Sequence, residues 1–194
     1  YGENDSIETL CKKFKIQNLG QTKIIVGSGY VQIRKGVDLF ISVADQINQL
    51  CPNKSIYFVW IGSGYDPVFD FNVSLWLEDQ INRSELSQCL KIFNHSTAYG
   101  DLIKRADLFL MTSRLDPLPN VAIDAMFAGK PMLCFEKACG IANLLVKNNE
   151  LNNALVSPYL STTSMANKAA QLIEDNIKYK KISNLSREKA VAWF

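Results

Sequence analysis

The sequence predicts an α/β fold, a doubly wound parallel sheet in three layers, and three observations predict it. Short apolar runs alternate with helical patterns from one end of the chain to the other, the signature of β-α-β units with right-handed crossovers. The run Tyr57-Phe-Val-Trp-Ile61 is apolar throughout, as a strand covered on both faces would be. Glycine-bearing loops follow the first two strand candidates, at Gly27-Ser-Gly29 and Gly62-Ser-Gly64. Loops at the carboxyl ends of the strands are where such sheets bind ligands.

The elements follow in order. Residues 1–22 are expected to form a linker with a helix over Ser6–Phe14. Lys23–Val26 is the first strand. Val37–Leu50 is a helix because Val37, Phe40, Ile41, Ala44, Ile47 and Leu50 recur at helical spacing. Then come a strand over Ser55–Ile61, a helix over Val73–Asn82, a strand over Leu90–Phe93, a helix over Tyr99–Lys104 and a strand over Leu108–Met111. A helix over Asn120–Ala128 starts at a good capping residue and stops at Gly129, with Pro131 just beyond. Strands over Pro131–Phe135 and Ala154–Val156 flank a helix over Ile141–Lys147. Two consecutive helices, Thr163–Asp175 and Tyr179–Trp193, close the series. The loops at the ligand edge are then 27–35, 62–70, 94–98, 112–119 and 136–140.

Size and composition narrow the function classes. A chain of 194 residues, 47% hydrophobic and 21% charged, fits one globular domain with a substantial core. A net charge of +2 with no Arg/Lys-rich run gives no nucleic-acid-binding face. Tyr1 to Ile7 are polar and acidic, unlike a secretory signal, and no apolar run is long enough to span a bilayer. Five cysteines (Cys11, Cys51, Cys89, Cys134 and Cys139) lack CxxC spacing, and His95 is the only histidine. A zinc site is therefore disfavoured, and reduced thiols in the cytoplasm are expected. The Asn-x-Ser triplets at Asn72 and Asn82 read as chance without a secretion signal.

The richest stretch runs from Ser113 to Pro131, where Asp116 and Asp124 stand with seven residues between them. Asp116 lies on a loop held open by Pro117 and Pro119, just before a helix N-terminus where free N–H groups gather and anions bind. Asp124 is the only charge in a helix apolar on every side, so it is expected to be buried and in need of a partner. The arrangement suits a ligand carrying both hydroxyls and phosphates. A capping Asp and a core Asp bound to backbone amides is the alternative. In the first loop, Arg34 and Lys35 offer charge to a phosphate just before the helix that follows Gly36. Neither glycine loop completes G-x-G-x-x-G, since Gln32 and Pro67 replace the third glycine, which disfavours a dinucleotide dehydrogenase.

Lys-Gly-Val-Asp38, Ile-Gly-Ser-Gly64, Ala106-Asp-Leu-Phe-Leu before Ser113, and the Asp116–Pro131 block fall in an order that resembles group 1 glycosyltransferases. These are retaining, nucleotide-sugar-dependent enzymes of the GT-B fold, which pairs two Rossmann-like domains. The resemblance spans about Lys23 to Asp175 and covers only the C-terminal, donor-binding half. It implies that the acceptor-binding N-terminal domain is absent from this chain, and that the isolated half is inactive. It also implies a UDP-, GDP- or ADP-sugar as donor with no metal required, and a cytoplasmic enzyme whose missing domain makes peripheral membrane contact.

Residue by residue, the resemblance places Asp116 at the transferred sugar and Asp124 on the ribose diol, where the family has glutamates. It places Lys35 on the diphosphate, the Asn120 and Val121 N–H groups on pyrophosphate or sugar oxygens, Gly29 and Gly62 against the nucleotide, and Asn94 and His95 near the base. Gly29 stands where the family usually has a second phosphate-binding arginine, for which Arg34 or Arg114 is the candidate substitute. Two other readings stay open: a Rossmann-like binding domain with a decayed site, drawn from the aspartates and Gly29, and a nucleotide-sugar epimerase or phosphorylase relative.

Overall fold

The computed structural model describes residues 21–94 and 99–194. Six strands, β1 (Lys23–Ser28), β2 (Ile56–Ile61), β3 (Leu90–Phe93), β4 (Leu108–Met111), β5 (Met132–Phe135) and β6 (Val156–Ser157), form one sheet in the order β3-β2-β1-β4-β5-β6. Every pairing is parallel. The strand order reverses between β1 and β4, so the crevice at their carboxyl ends is the topological switch point. The helices are α1 (Val37–Leu50), α2 (Ser74–Arg83), α3 (Tyr99–Arg105), α4 (Asn120–Phe127), α5 (Gly140–Leu145), α6 (Asn149–Leu155), α7 (Thr162–Glu174) and α8 (Asn176–Trp193). They pack in two groups, α1 with α2 and α7, and α4 with α3 and α8, which gives the three-layer Rossmann-like arrangement expected.

The core lies between these layers. Strands β2, β4 and β5 are almost wholly buried, and the apolar stripe of α1 seats Phe40 edge-on against Trp60, with ring centres 5.3 Å apart. The end of α4 is the one foreseen. The Gly129 N–H donates to the Met126 carbonyl and the Lys130 N–H to the Ala125 carbonyl, the pair of bonds that closes a helix at a glycine.

Several boundaries differ from the sequence expectation. Ala154 and Leu155 belong to α6, not to a strand, and β6 is Val156–Ser157. The Asn148 side chain accepts from the Glu150 and Leu151 N–H groups and starts a helix that buries Leu151, Ala154 and Leu155, so two apolar residues that look like the start of a strand lie on one face of a helix. Helix α8 begins at Asn176 because the Asp175 carboxylate caps it, accepting from Ile177 and Lys178. Helix α5 ends at Leu145, leaving Val146 and Lys147 in the turn to α6. A 3-10 turn over Ile33–Lys35 lies inside the first glycine loop. The expected helix Ser6–Phe14 and His95 lie outside the described residues.

Candidate functional site

The ends of β1 and β2, the loops that follow them and the first turns of α3 and α4 meet around a cleft of about 290 Å³ at the switch point. Its lining comes from Ser28, Gly29 and Tyr30, from Ile61, Gly62 and Ser63, and from Tyr99 and Val121. Close backbone approach makes the floor. The Gly29 N–H donates to the Ile61 carbonyl at 2.9 Å, and a Cβ on Gly62 would fall 1.7 Å from the Gly29 oxygen, so no larger residue fits at Gly62. The Trp60 indole N–H also donates to that oxygen at 2.9 Å, which satisfies the polar atom of a buried side chain.

The charge lies beside the cleft, at the same strand ends. The Lys35 ammonium meets the Asp116 carboxylate at 2.5 Å, and both side chains are largely buried. Arg34 stands 3.9 Å from the same carboxylate and donates to the Leu115 carbonyl at 2.8 Å. Lys35 ends the 3-10 turn, and Gly36, which follows it, takes φ +69°. A Cβ on Gly36 would lie 2.0 Å from the Thr112 carbonyl oxygen; a glycine here lets the turn press against the end of β4. Asp116 is fixed by its backbone. Its N–H donates to the Ala138 carbonyl, and it forms a parallel bridge with Cys139.

Helix α4 opens onto the cleft from the other side. Pro119 precedes it in extended conformation and supplies no side-chain cap. The Ala122 and Ile123 N–H groups donate back to the Pro119 carbonyl, which leaves the Asn120 and Val121 N–H groups at the open end without an intrahelical acceptor. One turn on, Asp124 lies beside Tyr99, whose hydroxyl donates to the Val121 carbonyl at 3.4 Å. Burial, then the Asp124 charge and its hydrogen bond, push the Tyr99 phenol up from its ordinary pKa, so Tyr99 is a hydrogen-bond donor at neutral pH.

The structure thus gathers Gly29, Gly62 and Val121 around one cleft, with Lys35, Arg34 and Asp116 as an ionic cluster at the same strand ends. Asn94 is exposed just past β3, next to Phe93, whose carbonyl accepts from the Gly62 N–H; it does not line the cleft. Three expectations are corrected. Asp116 is the buried carboxylate, 7% exposed, and Asp124 is exposed, because α4 turns Ala122, Ala125 and Met126 to the core and so directs Asp124 outward. Asn120 is the first residue of α4 rather than its cap. Arg114 is not spare for a phosphate, since Asp38 holds it in a fork at 2.8 and 2.6 Å. Sequence reasoning missed Tyr30 and Tyr99 as lining residues, although an aromatic just after a glycine loop is a usable signal. Among the described residues, no group of three or more His, Cys, Asp or Glu is placed to hold a metal ion, and no helix is long and apolar enough to cross a membrane.

Residues 11–189 match the family described as Glycosyl transferases group 1. No curated protein matches the chain. Among solved structures, HepE (Alr3699) from Anabaena, in complex with UDP and glucose, superposes with a TM-score of 0.78 at 23% identity, over 97% of this chain and 48% of that one. TarM from S. aureus, a mutant in complex with fondaparinux, alpha-GlcNAc-glycerol and UDP, gives 0.76 at 18% identity over 92% and 34%. Sucrose-phosphate synthase from Thermosynechococcus elongatus gives 0.74 at 17% identity over 97% and 45%. At these identities the likeness is one of fold, and the chain spans half or less of each structure.

Proposed function

Since this chain belongs to the group 1 glycosyl transferases, we propose that it is the donor-binding half of a retaining enzyme that moves a sugar from a nucleoside diphosphate to an acceptor. The observation that carries this reading is the Lys35–Asp116 pair, set at the same strand ends as the open N–H groups of Asn120 and Val121. An ammonium has three donors, so Lys35 can hold Asp116 and a diphosphate oxygen together. Arg34, exposed and close by, supplies the second cation that Gly29 cannot. HepE and TarM were both crystallised with UDP, which supports a nucleotide donor for this fold.

In this reading the bond between the anomeric carbon and the diphosphate oxygen breaks first. Negative charge builds on the leaving diphosphate and meets Lys35, Arg34 and the start of α4, donors already in place. The Asp116 carboxylate steadies the positive charge that develops on the anomeric carbon. Asp124, exposed beside Tyr99, accepts from the ribose hydroxyls. The acceptor hydroxyl then forms the new bond on the face the diphosphate left and gives its proton to the departing diphosphate oxygen, and the donor's configuration is kept. Acceptor binding we assign to a second Rossmann-like domain outside this chain, with metal playing no part in the donor site.

Titration calorimetry of the 194-residue chain with UDP, GDP and ADP, with and without a chelator, tests the reading. Binding to at least one diphosphate that survives the chelator is expected, with no sugar transfer by this chain alone. Silence towards all three, or binding that needs magnesium, would count against the site.

A further inference from the structure

We infer that Asp38 and Arg114 are positioning residues, a forked ion pair that locks the Lys35 turn to the Asp116 loop and so aims Lys35 at the diphosphate. The inference rests on the reading above that Lys35 meets that group.

The two loops come from distant parts of the chain and are stitched at several points. The Arg114 guanidinium donates to Asp38 Oδ1 and Oδ2 at 2.8 and 2.6 Å, and also to the Ile33 carbonyl at 2.7 Å. Its backbone N–H donates to the Arg34 carbonyl at 2.8 Å. Arg34 answers by donating to the Leu115 carbonyl, and the Thr112 hydroxyl donates to the Gly36 carbonyl at 2.8 Å. Behind them the Tyr159 hydroxyl donates to the Arg114 carbonyl at 3.3 Å. Ile33, Arg34 and Gly36, the residues around Lys35, are therefore all bound to the 112–115 segment that carries Asp116. A carboxylate in the first turn of α1 is favourable without any partner, so helix stability alone does not call for the fork. A planar guanidinium holds a carboxylate at two points and a carbonyl besides, which an ammonium cannot. Lysine is long and flexible; where its ammonium sits depends on where its backbone is pinned.

The expected consequence is selective. Lys35 serves the second phosphate, so loosening its turn removes the advantage of a diphosphate over a monophosphate and leaves the nucleoside contacts alone. The test compares UDP with UMP, GDP with GMP and ADP with AMP by calorimetry on the wild-type chain, Arg114→Lys and Asp38→Asn, with the melting temperature of each. In both variants the preference for the diphosphate should shrink roughly tenfold while monophosphate affinity holds, about the worth of one charge-assisted contact. A preference unchanged in Arg114→Lys, or an equal fall for both nucleotides, would overturn the inference and leave the pair a structural brace. Should Asp38→Asn fail to fold, Arg114→Lys decides, since it keeps a charge but not the fork. Wild-type chain that binds none of the diphosphates would instead sink the donor reading, and this inference with it.

Discussion

With the proposed acceptor-binding domain present, Asp116→Ala is expected to cut turnover about 100- to 1,000-fold, the range seen when one preorganised electrostatic group is removed from a reacting centre. Affinity for the nucleoside diphosphate should hold or rise. The reason lies in the ion pair: Asp116 engages the Lys35 ammonium at 2.5 Å, and without that carboxylate Lys35 turns wholly to the diphosphate. In the proposed mechanism the Asp116 charge matters most when the anomeric carbon becomes cationic, so its loss falls on the transition state rather than on the bound donor. Stability should fall too, by about 2 kcal/mol, less than a fully buried pair would cost because both side chains keep some contact with water. Asp116→Asn separates the effects. It keeps shape and an acceptor oxygen for Lys35, so most stability should return while turnover stays low. Steady-state kinetics, diphosphate titration and urea unfolding on the same preparations are the measurements. A parallel loss of diphosphate affinity and turnover would place Asp116 on the nucleotide instead of the sugar.

Asp124→Ala is expected to raise the dissociation constant of the diphosphate roughly ten- to a hundredfold, the worth of a hydrogen bond to a charged acceptor. Asp124→Asn should fall between, because the amide oxygen still accepts once from the ribose. The melting temperature should scarcely move. Asp124 is exposed, so its removal leaves neither a cavity nor a buried unpaired group, and the nearby Tyr99 hydroxyl keeps the Val121 carbonyl as a partner. Calorimetry and thermal unfolding of both variants check the two halves of this claim. A large fall in melting temperature with unchanged nucleotide affinity would return Asp124 to a purely structural role.

The order of strands and helices was legible in the sequence because the signals are local. The helical stripe from Val37 to Leu50, the unbroken apolar run from Tyr57 to Ile61 and the stop at Gly129 each follow from a few neighbouring residues. Alternation then leaves the parallel doubly wound sheet as the natural packing, and with it the location of the ligand edge. Lys35, Arg34, Asp116 and the start of α4 were accordingly found as candidates before their distances were known. Local signals misled where two elements share one composition: Ala154 and Leu155 are as apolar in a helix face as in a strand, and the Asn148 cap draws them into the helix while Val156 opens β6.

Only the tertiary structure decided which aspartate is buried and which carboxylate each cation meets. The composition of α4 is apolar all round, but burial is set by the side that meets the sheet, and that side holds Ala122, Ala125 and Met126 rather than Asp124. Likewise Arg34 and Arg114 look alike as candidates for the phosphates. Arg114 is taken by Asp38, 76 residues away in the chain, while Lys35 is held by Asp116 at a separation of 81. A side chain's own neighbours fix the backbone that carries it. Its charge partner is whatever the crossover connections bring to the same strand ends, and no local pattern encodes that distance.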